Sequence, residues 1–307
     1  MTEFPKTCCI LEDSVGIEII PPIGVVCYDA GGANQILAML GEPRFLRVCG
    51  YFEGPARELW RHMGRPCKLT DSLLELLGKV NTLVTGTGWA DRLEHDARDL
   101  ARRSGIRSIA VLDHWTNYRE RFVCDGSLVL PDELWVVDDF ALQIARHVFP
   151  EVPITLQPDR YAEQQSDLIM GLNRKTANEL IYLLEPARSD WGRSEAGEFQ
   201  ALRYFRDIVP RLGLPKNTTI CLRPHPSDTV GKYNAFLGEW HGHQVVLDSG
   251  DLAGAISRAR WVAGCQTYAL TLALRAERTV FCTLPPWAPP CQLPHAGLIH
   301  LRRLGIL

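Results

Sequence analysis

The chain has 307 residues, 46% hydrophobic and 22% charged, with a formal net charge of −3. That length supplies two ordinary domains or one large one, with a sizeable core, and the near-neutral balance gives no bulk attraction to nucleic acid or anionic lipid. No stretch approaches the roughly 18 clean apolar residues of a membrane span, and the ten cysteines follow no regular spacing, so they read as reduced thiols rather than a secreted disulfide framework.

The start, MTEFPKTCCILED, lacks the basic residues and apolar run of a signal peptide, so a cytoplasmic protein is expected. IGVVCYDAGGANQILAML, Ile23 to Leu40, is an apolar run stopped at Asp29, two glycines, and a helical pattern: strand, tight turn, helix. RFLRVCGYFEGPARELW repeats that plan. NTLVTGTGWADRLEHDARDLARRSG breaks at Gly86 and Gly88 and continues as a polar helix. IRSIAVLDHW and DELWVVDDF are further strands, and FALQIARHVF a helix. FPEVPITLQPDR, with three prolines, interrupts the alternation and reads as a hinge or linker.

The pattern then restarts. NELIYLLEP is a strand, EFQALRYFRDIVPRL a helix, and NTTICLRPHP and HQVVLDSG are strands. DLAGAISRAR is a helix, WVAGCQTYALTLALRA a strand, turn and helix, and RTVFCTLPP the last clear strand. Alternating strands and helices imply mostly parallel sheets covered on both faces. The expected architecture is α/β, two Rossmann-like domains facing a cleft, with boundaries at 1–155 and 156–307. Open parallel sheets bind ligands beyond the carboxyl ends of their strands, and the loops YDAGG, GTGW, DHWTNYRERF, LEPARSD, RPHPSD, GCQTY and TLPP all fall there.

In RPHPSD, Pro224 and Pro226 each hold the preceding residue extended. Arg223 and His225 are thus presented on a stiff exit from the sheet, a charged fork and a ring donor suited to a phosphate, with Ser227 able to join them. The alternative is a rigid loop with a surface arginine and a capping serine. At Gly264, Gln266 and Thr267 a strand ends and a helix is expected to start, which exposes backbone N–H groups to an anion; a plain helix cap at Thr267 is the competing reading. Asp29, before Gly31 and Gly32, is placed either to take a proton from an acceptor hydroxyl or to cap the turn. Asn34 is a further candidate for the same cleft, and Gly86 to Trp89 form a second glycine-relieved turn, with Trp89 either stacking on a sugar or base or packing in the interior.

The densest polar cluster, LDHWTNYRERF, offers Asp113, His114, Asn117 and Arg119 for substrate contact, His114 as an acid and Arg119 toward an acidic sugar or second phosphate. Adjacent on an extended chain, Asp113 and His114 face opposite ways and are not a ready acid–base pair. No H-E-x-x-H, paired C-x-x-C or G-x-S-x-G is present, so neither a metal site nor a serine triad is expected, and no cofactor. Asp138 and Asp139 read as a helix start.

This layout resembles the GT-B architecture of nucleotide-sugar glycosyltransferases. Within that group His225-Pro226 resembles the HP dipeptide of bacterial sialyltransferases, polysialyltransferases and related capsule enzymes, and also that of glycerol-phosphate polymerases. The resemblance implies a phosphate contact of a CMP-linked donor at His225, a second at Gln266-Thr267, and a base at Asp29 in Tyr28-Asp29-Ala30-Gly31, where one acid of the family motif is missing. Cys265-Gln266 also departs from the usual Ser/Thr pair.

The expected function is transfer of a sugar from a nucleotide-sugar donor to a hydroxyl acceptor, without a metal. Asp29 would be the base, His225 phosphate ligand and acid, and His114 a further acid. Sugar-nucleotide hydrolysis or epimerisation, or non-catalytic nucleotide or glycan binding, are the alternatives on the same architecture. The expected partners are small molecules or a glycan and not nucleic acid; a homodimer is compatible with the sequence.

Overall fold

The computed structural model describes residues 19–43, 45, 47–63, 68–88, 91–171, 178–187, 189–226 and 228–304. Two candidates, Trp89 and Ser227, lie outside the described residues. The chain divides into two units, one ending at Arg160 and the other beginning at Tyr161.

The first unit is built on β1 (Ile23–Cys27), β2 (Val48–Phe52), β3 (Lys68–Leu69), β4 (Thr82–Thr85) and β5 (Arg107–Val111). A two-stranded ribbon, β6 (Val123–Cys124) and β7 (Ser127–Leu128), precedes β8 (Glu133–Val136) and β9 (Ile154–Leu156). The main sheet runs β3-β2-β1-β4-β5-β8-β9, every pair parallel. Its helices are α1 (Ala30–Met39), α2 (Gly54–Met63), α3 (Leu73–Leu77), α4 (Leu93–Arg103) and α5 (Asp139–Val148).

β1 and β4 are buried at every residue, as a parallel strand covered on both faces requires. Alternate residues of β1 serve opposite faces. Ile23, Val25 and Cys27 pack with Ile36, Leu37 and Trp135, while Val26 packs with Leu76, Leu83 and Ala97.

The proline-rich segment differs from the expected linker. Between Pro153 and Pro158 it forms β9, the edge of the first sheet, tied by Leu134 N–H to Pro153 O at 2.9 Å and Gln157 N–H to Val136 O at 2.7 Å. An edge strand tolerates flanking prolines because one side needs no ladder donors. The expected boundary at 155–156 therefore falls inside β9. Helix α6 (Arg160–Gly171), passed over in the sequence, follows it.

The second unit has β10 (Glu179–Leu183), α7 (Gly197–Ile208), β11 (Thr219–Arg223), β12 (Gly238–Trp240), β13 (His243–Leu247), α8 (Leu252–Arg258), β14 (Trp261–Gly264), α9 (Ala269–Arg275), β15 (Thr279–Cys282) and β16 (Leu298–His300). The sheet order is β12-β13-β11-β10-β14-β15-β16, parallel except for the β12–β13 hairpin. His241 and Gly242 form that hairpin's turn with φ of 50° and 89°, the two positive values that match the twist of the flanking strands. His243 is buried, its Nδ1 3.2 Å from Thr218 O. Both histidines thus serve the fold. Leu180, Tyr182, Phe205, Ile220, Leu222 and Ala263 are among the residues that form the core of this unit.

Candidate functional site

In the first sheet the chain winds outward from β1 to β3, then returns to lay β4 on the other side of β1. The loops leaving β1 and β4 therefore diverge, and such a switch point is where open sheets leave room for a ligand. Three loops meet there with almost no space between them. A Cβ on Gly31 would lie 1.9 Å from Asp113 Oδ2, one on Gly32 2.9 Å from Gly86 Cα, and one on Gly88 2.4 Å from Asp29 Oδ2 and 2.7 Å from Glu94 Oε2. The glycines are needed for close approach of loop to loop; none of the four has positive φ. Gly31, Gly32, Gly86 and Asp113 are brought together with Asp29; the sequence assigns them to three separate strand-exit loops.

Asp29 occupies the N-cap position of α1, but its side chain makes no capping bond. The carboxylate lies against Gly88 instead. Asn34 is half-buried within α1.

The residue that sequence reading missed is Glu94, in the first turn of α4 and only 1% exposed. It accepts the Tyr28 N–H at 3.1 Å and so anchors the turn that carries Asp29. Burial pushes its carboxyl up to about 7, opposed by the Tyr28 N–H and Arg98 and reinforced by the Asp29 and Asp113 charges. Arg98, one helical turn on and fully buried, donates from Nη1 to Thr85 Oγ1 and Gly86 O, both at 3.1 Å. Its guanidinium stands 5.0 Å from the Phe122 ring centre, and burial lowers it to about 10. The only sequence signal was a glutamate and an arginine four apart in a helix too polar on its face to mark them as interior.

The polar cluster after β5 sorts into two groups. Arg121, rather than Arg119, is the buried cation: it donates to Thr116 O at 2.9 Å, Thr87 O at 3.1 Å and Asp113 Oδ1 at 2.9 Å. It thereby holds Asp113 against Gly31. Arg119 and Asn117 are exposed, Asn117 with φ of 58° at the bend. His114 is half-buried, its Nδ1 3.1 Å from Thr116 Oγ1 and its ring 5.4 Å from that of Trp115. Trp115 Nε1 donates to Asp138, which also caps α5 through the Ala141 N–H at 2.6 Å.

The second sheet has its own switch point, between β10 and β14. Here the expected anion seat differs. Helix α9 starts at Ala269, not at Gln266 or Thr267, and the Gln266 N–H donates to Glu185 Oε1 at 2.6 Å. An internal carboxylate stands where a phosphate was expected. Burial pushes Glu185 up to about 7, with the Gln266 N–H opposing and Cys291 adding to the rise. Gly264 is a packing glycine, its Cβ position 3.0 Å from Leu183 O. Thr267 is half-buried, and its Oγ1 accepts the Ala269 N–H at 3.4 Å.

At the end of β11, Arg223 Nη1 donates to Asp248 Oδ2 and Gly250 O, both at 2.5 Å. Arg258 also donates to Asp248 and, at 2.7 Å, to Glu179. Arg223 is thus partly committed to an ion-pair chain. His225 is exposed. Partial desolvation and Lys232 lower its pKa from the ordinary histidine value, against the pull of Asp228. Asp228 staples the loop: it accepts the His225 N–H at 2.8 Å, Lys232 Nζ at 2.6 Å and the Tyr233 hydroxyl at 3.3 Å. The two prolines and this staple fix where the imidazole stands. Elsewhere in the unit Cys282, Cys291 and His300 form a group able to hold a metal ion.

No protein-family model matches the chain, and no curated protein matches it in sequence. Solved structures do. The chain is similar to the UDP-GlcNAc 2-epimerase of Methanocaldococcus jannaschii, with TM-score 0.53 and 10% identity over 85% of this chain and 83% of that one. It is similar to the glycotransferase of kitacinnamycin, with TM-score 0.50 and 12% identity over 89% and 81%. It is similar also to the wall teichoic acid polymerase TagF soaked with CDPG, with TM-score 0.50 and 13% identity over 87% and 71%. Among the described residues no helix is long and apolar enough to cross a membrane. With two parallel-sheet α/β units and these likenesses, the chain has the GT-B fold of glycosyltransferases.

Proposed function

We propose that the protein transfers a sugar from a nucleotide-sugar donor to a hydroxyl acceptor in glycan or polysaccharide synthesis. The observation that carries this reading is Asp29: a carboxylate at a switch point, at the head of a helix it does not cap, on a turn anchored from beneath by Glu94. In this role Asp29 takes the proton of the acceptor hydroxyl as its oxygen attacks the sugar's anomeric carbon. The bond from that carbon to the donor phosphate breaks, and the leaving phosphate gains the charge.

The leaving phosphate is assigned to residues of the second unit. His225, held by the Asp228 staple, donates to it, and the Thr267 hydroxyl is a second donor. Arg223 steadies the loop through Asp248. The HP dipeptide supports a CMP-linked or a nucleoside-diphosphate-linked donor, by its likeness to sialyltransferases and glycerol-phosphate polymerases. No step is routed through a metal. His114 and Asp113 are assigned to the acceptor side.

A second reading, epimerisation or hydrolysis of the sugar nucleotide, is favoured by one observation. Asp29 and Glu94 present carboxyl oxygens on the same point beside Gly88, and Glu94 lies near 7. Of the two, Asp29 is the carboxylate able to reach a sugar, with Glu94 sealed behind it, and such a supported acid suits proton transfer on the sugar itself.

Donor turnover with and without acceptor separates the two. Asp29→Asn is expected to leave donor affinity unchanged and to lower kcat by roughly 10²–10⁴-fold, the usual worth of a general base. An unchanged rate removes Asp29 from the mechanism. His225→Ala is expected to weaken CMP or UMP binding in calorimetry while sparing the free nucleoside; equal losses for both remove its phosphate role.

A further inference from the structure

At the carboxyl ends of β15 and β16, Cys282 and His300 are partners in parallel register. Partnered residues on adjacent parallel strands point to the same face, so a thiol and an imidazole stand side by side. Between them in sequence lies the proline-rich loop from Leu284, and it returns Cys291 to the same place. The loop is clamped there: Arg302 donates to Pro289 O at 3.1 Å and to Pro286 O at 2.5 Å. Trp287 Nε1 donates to Gln200 at 2.7 Å, with Arg193 3.8 Å from its ring centre. Ligand atoms of Cys282, Cys291 and His300 all lie within 4.8 Å of one another, Cys282 buried and the other two half-buried.

We propose that Cys282, Cys291 and His300 bind one borderline-soft divalent cation of the Zn²⁺ class, in a Cys₂His set with the fourth position open. Zn–S bonds of about 2.3 Å and Zn–N bonds of about 2.0–2.1 Å place tetrahedral ligand atoms roughly 3.5 Å apart. Small side-chain rotations close the present spacing to that value. Two thiolates neutralise the dication, and thiolate with imidazole selects Zn²⁺ over the oxygen-seeking Mg²⁺ or Ca²⁺. Both thiols now face the Cys265 carbonyl oxygen, Cys282 Sγ at 3.1 Å and Cys291 Sγ at 3.9 Å from it. Metal binding releases their two protons to solvent and leaves that carbonyl available to a metal-bound water. The site is independent of the transfer reading, since it uses none of Asp29, His225 or Thr267.

The test uses the full chain, fully reduced under anaerobic conditions and stripped of metal. Co²⁺ is titrated as a spectroscopic probe, then Zn²⁺ in competition with a chromophoric chelator. One equivalent of Co²⁺ is expected to give thiolate charge-transfer bands in the near ultraviolet and intense visible bands of tetrahedral symmetry. Cys291→Ser and His300→Asn, on the half-buried side and checked for unchanged far-ultraviolet circular dichroism, are expected to lower Zn²⁺ affinity beyond the roughly 10–100-fold that loss of an outer-shell partner costs. Zn²⁺ is also expected to protect Cys291 from alkylation in the unmodified protein, read by peptide mass spectrometry. Binding that survives Cys291→Ser unchanged, alkylation of Cys291 indifferent to Zn²⁺, or a reduced chain that takes up no stoichiometric Co²⁺ each overturns the proposal.

Discussion

Glu94 turns the buried corner of the first unit into a measurable pH dependence. Its carboxyl moves from 4.5 to about 7, chiefly because burial penalises the charged form. Between those two values the folded state holds a proton that the unfolded chain has lost. Stability from this group is therefore full below about 4.5, falls as pH rises through about 7, and is flat above. At about 1.4 kcal/mol for each tenfold change in proton affinity, the whole fall is roughly 3 kcal/mol. Glu94→Gln keeps an oxygen for the Tyr28 N–H and removes the ionisation. The variant's stability relative to the wild type is expected to grow by about 3 kcal/mol between pH 4.5 and 8. Glu185 shifts in the same direction, but it is present in both proteins and cancels in the difference. Urea unfolding followed by tryptophan fluorescence at four pH values measures it, as a midpoint gap that widens by about 1 M. Parallel pH profiles for the two proteins would refute the claim that Glu94 is stored as the neutral acid.

The glycine contacts predict different penalties for neighbouring positions. Gly32→Ala drives its new carbon onto the Gly86 backbone and is expected to cost about 1–3 kcal/mol of stability in thermal unfolding; Gly31→Ala meets a side chain, the Asp113 carboxylate, and is expected to displace it from Arg121 and lower turnover. Arg121→Met strips the partners from Asp113 and two carbonyls, with an expected loss of about 3–5 kcal/mol and faster hydrogen exchange across residues 113–122. Glu185→Ala frees the Gln266 N–H and is expected to raise the affinity for a nucleoside diphosphate sugar several-fold in calorimetry; unchanged affinity places the phosphate away from that turn.

The strand and helix alternation was legible because parallel strands buried on both faces read as unbroken apolar runs: IGVVC, TLVT and TICLR. The edges were not. β9 lay hidden between prolines that looked like a linker, and β3 and β16 are too short and too exposed to carry a pattern. Asp29, Gly31, Gly32, Gly86 and Asp113 were each picked out as candidates from sequence because strand ends in an open sheet share one side. Glu94, Arg98 and Arg121 were not, because their burial depends on loops from three different strands closing over them. The Cys282–Cys291–His300 group escaped for a related reason: its ligands meet through strand register and a clamped loop, not through the short spacings a motif scan recognises.

The two switch points share one device. In each unit a glutamate near 7 accepts the first free N–H of a strand-exit loop: Tyr28 on Glu94 and Gln266 on Glu185. A backbone N–H at such a loop is the usual seat for a phosphate oxygen, and an internal carboxylate there competes with any anionic ligand. Burial of the carboxyl drives the same rise in both, and the units differ in how exposed the rest of each residue is. Glu94 is sealed at 1% exposure and holds the Tyr28 N–H, so under the proposed function the first corner serves proton transfer by Asp29 rather than phosphate binding. Glu185 stands on a half-buried loop and loses its charge below about 7. A diphosphate that does not itself titrate near neutrality should then bind the second unit more tightly at pH 6 than at pH 8, and the Glu185→Ala variant should keep only the smaller part that protonation of His225 contributes at the acid end. A wild-type affinity that is level across this range would separate the phosphate from the Gln266 turn and leave the His225 loop to hold it alone.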